Sequence, residues 1–117
     1  MDKDEKYFGQ IKVSNDVIAE LAGFAALESY GIVGMVSPNA KDEVARFLAR
    51  DKLKKGVRVI ILDGKVEIDL YVIIEHGTNL SEVARNLVER VKYEIEKYAE
   101  LEVSNVEVHV QGVKTRK

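Results

Sequence analysis

The sequence predicts an α+β fold, a two-layer α/β sandwich whose mainly antiparallel or mixed sheet carries its helices on one face. Three observations point there. Asp63-Gly64 sits between two β-rich runs, Val57–Leu62 and Lys65–Glu75. Two stretches, starting near Val17 and Val83, repeat apolar residues with helical period behind capping residues. The strand-like runs have one apolar and one mostly polar face, as in a sheet covered on one side only.

The elements follow in the order β-α-(β)-α-β-β-α-β. Residues 1–6 (MDKDEK) read as a frayed, disordered polar arm, and residues 7–113 as a single domain. Tyr7–Val13 alternates, which suits a short strand. Ser14, Asn15 and Asp16 are N-cap candidates for a helix whose apolar residues are Val17, Ile18, Leu21, Ala22 and Ala25. Gly31 is its expected C′ residue. Ile32–Val36 is a short extended stretch. Ser37-Pro38 is a helix-start signal, and a second helix is expected over Ala40–Arg50, with Val44, Phe47 and Leu48 inward. Lys52–Gly56 reads as a loop.

Asp-Gly between two such runs is a two-residue hairpin signal, because a type I′ turn needs positive φ at both positions. That turn sets the register: Ile61 faces Val66, Val59 faces Ile68, and Val57 faces Leu70. On the other face Arg58 lies opposite Asp69, and Ile60 opposite Glu67. An aliphatic inner face and an unlike-charge pair outside agree with each other, and a one-residue slip would destroy both. Asn79-Leu-Ser-Glu82 is a capping-box variant. It opens a long helix with Val83, Leu87, Val88, Val91, Ile95 and Tyr98 inward, and with Glu89–Lys92 and Arg90–Glu94 as close pairs on its other face. Val103–Val113 closes the domain as a strand in which Val106, Val108 and Val110 alternate with Glu107, His109 and Gln111. Residues 114–117 (KTRK) form a basic tail.

A chain of 117 residues is one domain's worth, and a domain of this size buries roughly two-thirds of its unfolded surface. It contains no cysteine, which excludes disulfides, thiolate metal sites and thiol nucleophiles. The net charge of −2 is not that of a surface given over to nucleic acid. Charged residues make up 32%, and such enrichment in charge is a tendency of thermophile proteins. The charged first residues lack the apolar region of a signal peptide. The longest apolar runs, Val59–Leu62 and Tyr71–Ile74, fall far short of the roughly 20 residues of a spanning helix.

Several residue groups could carry chemistry. The histidines are His76 and His109, and His109 shares the expected outer face with Glu107. A His–Glu pair can bind metal or move protons, but no third ligand occurs at a spacing that closes a site. Both histidines therefore read as ordinary surface residues, and no metal or cofactor is expected. Glu67, Asp69 and Glu75 line one strand face, where a solvated surface is the simpler reading than an acid–base pair. Gly31-Ile-Val-Gly34 matches the GxxG of nucleic-acid-clamping KH loops, but Ile-Val between the glycines is apolar where those loops are basic or polar. The densest basic stretch is Arg46, Arg50, Lys52, Lys54, Lys55 and Arg58, a patch that would suit an anionic partner or simply be the wet end of a helix and its loop. Ile60, Leu62, Tyr71 and Ile73 share the outer face of the hairpin. Four large apolar groups there mean either a protein partner or cover from an N-terminal strand, a loop or the short helix. If the face is open, changing Tyr71 and Ile73 together to Lys and Thr leaves the fold intact. No catalytic triad, Walker loop, dinucleotide fingerprint or metal motif is present, so the reading is of a non-enzyme with no small-molecule substrate.

Two blocks, VSNDVIAELAGFAALESYGIVGMV and GVRVIILDGKVEIDLYVIIEHGTNLSEVARNLVERVKYEIEKYAELEVSNVEVHVQGV, resemble the bacterial alkaline-shock protein family, also called the envelope stress response family. The resemblance runs from about Gly9 to Val113. The helix followed by Gly-Ile-Val-Gly, the Asp-Gly hairpin with its long second strand, and the closing V-x-V-x-V-x-G-V carry it. It implies a cytoplasmic, non-enzymatic protein of cell-envelope homeostasis. Some members of that family are held at the inner face of the membrane by a separate anchor protein and self-associate there. It supplies no catalytic residues. Two functions then stand against each other. The first is a homo-oligomeric scaffold or adaptor near the cytoplasmic membrane, working with a membrane-anchored partner protein. The second is a small nucleic-acid-binding module using Arg46–Arg58. Phosphate binding falls steeply with salt, and apolar assembly does not.

Overall fold

The computed structural model describes residues 13–38, 48 and 50–115. The arm at 1–6, the strand expected at 7–13 apart from Val13, the helix expected from Ala40 apart from Leu48 and Arg50, and the end of the basic tail lie outside them. The elements are α1 (Asn15–Leu27), β1 (Ile32–Met35), a 3-10 helix (Arg50–Gly56), β2 (Val57–Leu62), β3 (Lys65–Glu75), α2 (Leu80–Ala99) and β4 (Glu102–Lys114).

Ser14 caps α1, its side chain accepting from the Val17 N–H at 3.2 Å. The helix buries Ile18, Ala19, Ala22, Gly23, Ala25 and Ala26, whereas Val17, expected inward, is 46% exposed. The buried stripe consists mostly of small residues because α1 is held close to its neighbours. A Cβ on Gly23 would lie 2.9 Å from the Leu53 Cβ. The helix also ends earlier than Gly31 predicts. The Ser29 hydroxyl donates to the Ala25 carbonyl at 2.8 Å, taking one of the free C=O groups of the last turn. Gly31 serves the following turn instead. Its φ is +83°, and a Cβ there would meet Val83 Cγ2 at 2.5 Å, so glycine is needed both for backbone sign and for space.

The stretch expected as a loop at Lys52–Gly56 is part of the 3-10 helix. Its charges concealed the one apolar residue that matters, Leu53, which is 2% exposed and packs against Gly23. The hairpin follows the expected register throughout, from Val57 opposite Leu70 to Leu62 opposite Lys65. Asp63 and Gly64 have φ of 55° and 76°, the two positive values of a type I′ turn.

β3 organises the sheet. β4 runs along it from Lys65 to Glu75, so β2 and β1 share its other edge, β2 over Lys65–Leu70 and β1 over Val72–Ile74. The β1 and β2 pairings are antiparallel and the β4 pairing is parallel, which makes the sheet mixed. A parallel neighbour needs a long crossover, and α2 supplies it. Asn79 caps α2 by accepting from the Glu82 N–H at 3.0 Å. Its buried residues step by four, Val83, Leu87, Val91, Ile95 and Ala99. Tyr98, expected inward, is 59% exposed, with the Lys97 ammonium 5.3 Å from its ring centre. Arg90 reaches across to Glu28 on the turn after α1 (3.0 Å), and Glu96 accepts from the Val103 N–H at 3.0 Å, tying the end of α2 to β4.

The main core lies between the two helices and one face of the sheet. It joins Ile18, Ala22, Ala25, Ala26, Val83, Leu87, Val91 and Ile95 to Val66, Ile68, Leu70, Val72 and Ile74. The two-layer α+β sandwich is therefore as the sequence predicts, with α1 and α2 on one side of the sheet.

Candidate functional site

The face of the sheet turned away from the helices carries the candidate residues. Strand alternation and the observed register place there Arg58, Ile60 and Leu62 of β2, and Lys65, Glu67, Asp69, Tyr71, Ile73 and Glu75 of β3. From β4 come Asn105, Glu107 and His109, paired with Glu67, Asp69 and Tyr71.

The apolar residues of this face divide into two groups. Ile60 is 48% exposed and Leu62 70% exposed, while Tyr71 is half-buried. Ile73 is not open at all. It is 1% exposed, and Val36 beside it on β1's continuation is 3% exposed. Neither belongs to the main core between sheet and helices. Ile73 is flanked in the sheet by Gly34 and Gly112, so its lateral neighbours on this face have no side chains to shelter it. The expectation that Ile73 points to solvent with Ile60, Leu62 and Tyr71 is corrected: the direction is right, but the position is enclosed.

Between these groups lies a polar cluster. The His109 ring stacks on Tyr71 with centroids 4.5 Å apart and an interplanar angle of 9°. His109 Nε2 is 3.1 Å from Asp69 Oδ1 and 4.0 Å from Glu107 Oε1. One ligand atom from each of Asp69, Glu107 and His109 lies within 4.8 Å of the others. The sequence displayed Glu107 and His109 as neighbours, two apart on one strand. Asp69 was expected to meet Arg58, its partner across β2, and its carboxylate lies against His109 instead. The missing signal was the parallel register of β3 on β4. Two irregularities interrupt that ladder, Ser104 before the cluster and Gln111 after it, each an extra residue on β4 relative to β3, and the first sets the register at Asp69. The Ser104 hydroxyl holds the first of them by donating to the Val66 carbonyl at 3.2 Å.

The basic stretch is not presented as one surface. Lys52, Lys54 and Lys55 belong to the 3-10 helix in the helical layer, and Arg58 projects from the opposite face of the sheet. Lys54 is paired with Asp16 at 3.3 Å. Arg46 lies outside the described residues, and only the backbone of Arg50 is described. Gly31 and Gly34 do not bracket a loop between helices: Ile32–Met35 is a strand paired to β3, with an irregularity at Val33. Glu75 ends β3, away from Asp69, and exposed His76 follows it in the turn before α2. No helix among the described residues is long and apolar enough to cross a membrane.

The described helices on one face of the sheet, and a partly apolar face on the other, make this a small two-layer α+β domain. The comparisons with known proteins narrow this. The chain belongs to the alkaline-shock protein family, described by its cell envelope-related function, with residues 3–115 matching. This is the family that the two sequence blocks resemble. The uncharacterized protein YloU of Bacillus subtilis (strain 168) is 44% identical over 108 residues, which cover 92% of this chain and 90% of the relative. Streptococcus pyogenes serotype M6 has a similar protein, the uncharacterized Spy1614, 39% identical over 91% of this chain and 88% of its own length. A more distant Bacillus subtilis relative, the uncharacterized YqhY, is 27% identical over 97% of this chain and 83% of its own length. No solved structure matches the chain significantly.

Proposed function

We propose that this chain acts in cell-envelope homeostasis as a non-catalytic, self-associating scaffold or adaptor, held near the inner face of the cytoplasmic membrane by an anchored partner protein. Family membership supports the envelope role. The observation that carries the assembly role is the open end of the sheet face, where Ile60 and Leu62 are 48% and 70% exposed on the side away from the helices. Apolar side chains grouped on a solvent-facing sheet mark interaction surfaces. A few well-packed side chains near the middle of such a surface carry most of its binding energy. Tyr71 lies further along the same face, half-buried and stacked on His109, with Asp69 and Arg58 between it and Ile60.

Light scattering of the wild-type chain and of the double variant Ile60→Lys, Leu62→Thr at equal concentration tests this. The wild type should be larger than a monomer, and the variant should shift toward the monomer while keeping its circular dichroism. A wild type that is monomeric across the accessible concentration range, or a variant that assembles as before, overturns the reading. An electrophoretic shift with generic RNA and DNA at two salt concentrations adds a second check. Tight binding that collapses with salt would place the function with phosphate contacts instead.

A further inference from the structure

We propose that Asp69, Glu107 and His109 form a binding site for a zinc-like divalent transition ion on the open face of the sheet. The sequence offered only two of these groups, and the pairing of β3 with β4 brings in the third. Glu107 and His109 are two residues apart on β4, so both project to the same side. Asp69 is the direct neighbour of Glu107 across the ladder, and Tyr71 that of His109. The four residues thus make a square on adjacent strands, with three ligand groups and one aromatic ring.

The separations of His109 from its two neighbours bracket those around a small ion. Zinc binds imidazole nitrogen and carboxylate oxygen at about 2.0–2.2 Å, so donors around a tetrahedral ion sit roughly 3.3–3.6 Å apart. His109 Nε2 lies 3.1 Å from Asp69 Oδ1 and 4.0 Å from Glu107 Oε1. Closing the set takes a small rotation of Glu107, whose side chain is 66% exposed and so has room to turn. Asp69 and His109 are the better-held pair, with side chains 27% and 35% exposed. The Tyr71 ring lies flat against the imidazole and limits the planes it can adopt, which keeps Nε2 aimed between the two carboxylates. Such support of a ligand's orientation is a regular part of metal sites.

One nitrogen and two oxygens suit zinc and its neighbours in the transition series. Calcium would need six to eight oxygens, and this site has two carboxylates. Three protein ligands leave a fourth position for water or for a group from a partner.

The test uses the full chain and zinc chloride in titration calorimetry, with cobalt(II) as a visible-absorption probe of coordination number. One ion should bind per chain, and cobalt should give the intense bands of a four- or five-coordinate site. His109→Gln, Glu107→Gln and Asp69→Asn should each lower the affinity by roughly tenfold or more, while His76→Gln should leave it unchanged. Circular dichroism checks each variant, and because the three ligands are changed separately, one variant that fails to fold leaves two to decide. No binding by the wild type, binding that survives His109→Gln, or one ion per two chains would overturn the proposal.

Discussion

The sheet face turned away from the helices behaves differently at its two ends. At the hairpin end Ile60 and Leu62 stand largely in water, and at the β1 end Ile73 and Val36 are enclosed. All four residues are aliphatic, and Ile60, Leu62 and Ile73 project to the same side of one sheet. Period-two alternation therefore tells which side a residue takes. It does not tell which stretch of that side is covered. The difference teaches that this face holds two surfaces: a closed apolar site that stabilises the fold, and an open one available for contact.

The largest effect should come from the closed end. Ile73→Ala removes a fully buried aliphatic group and should cost about 2–5 kcal/mol, the range for large-to-small core changes. Urea denaturation monitored by circular dichroism measures it. A loss below about half a kcal/mol would mean that both ends of the face are alike and that Ile73 is not packed.

A change at the turn should rank next. Gly64→Val puts a β-branched residue at φ 76°, a sign that such residues resist. The expected cost is about 1–3 kcal/mol, that of a strained backbone position. The turn also sets the register that aims Ile60 and Leu62 outward, so wild-type stability in this variant would undercut the account of the open end.

The smallest stability effect belongs to the open end. Ile60→Lys with Leu62→Thr should change the unfolding free energy by no more than about 0.5 kcal/mol per site, as for surface positions away from special features. The same urea titration compares it directly with Ile73→Ala. If the two variants lose equal stability, the contrast between the two ends fails. If the double variant loses assembly but not stability, the contrast is sharpened into a division of roles.

Much of this is legible in the residues themselves. The Asp-Gly turn dictated φ signs and register, and the register then sorted Val57, Val59 and Ile61 from Arg58, Ile60 and Leu62. Ser14 and Asn79 announced the starts of both helices. Other readings missed for reasons that can be named. Val17 and Tyr98 fit helical stripes but lie at their wet margins, because helix rotation is set by contacts rather than by periodicity. Leu53 was lost among lysines, although one apolar residue there anchors the 3-10 helix. Gly31 ends a turn rather than a helix because Ser29 closes α1 first.

The local chemistry of the sequence determined α1 and α2, the hairpin and its register, the single-sided apolar pattern and the family, because each of these rests on contacts between near neighbours or on recurrent motifs. Tertiary structure decided what depends on distant segments meeting. Parallel pairing of β4 with β3, shifted by the extra residue Ser104, placed Asp69 beside His109, although 40 positions separate them in the chain. On the side of the sheet away from the helices Ile73 is enclosed and Ile60 is open. Nothing in the alternation of a strand records either outcome, because alternation has two values and the environment of a sheet face has many.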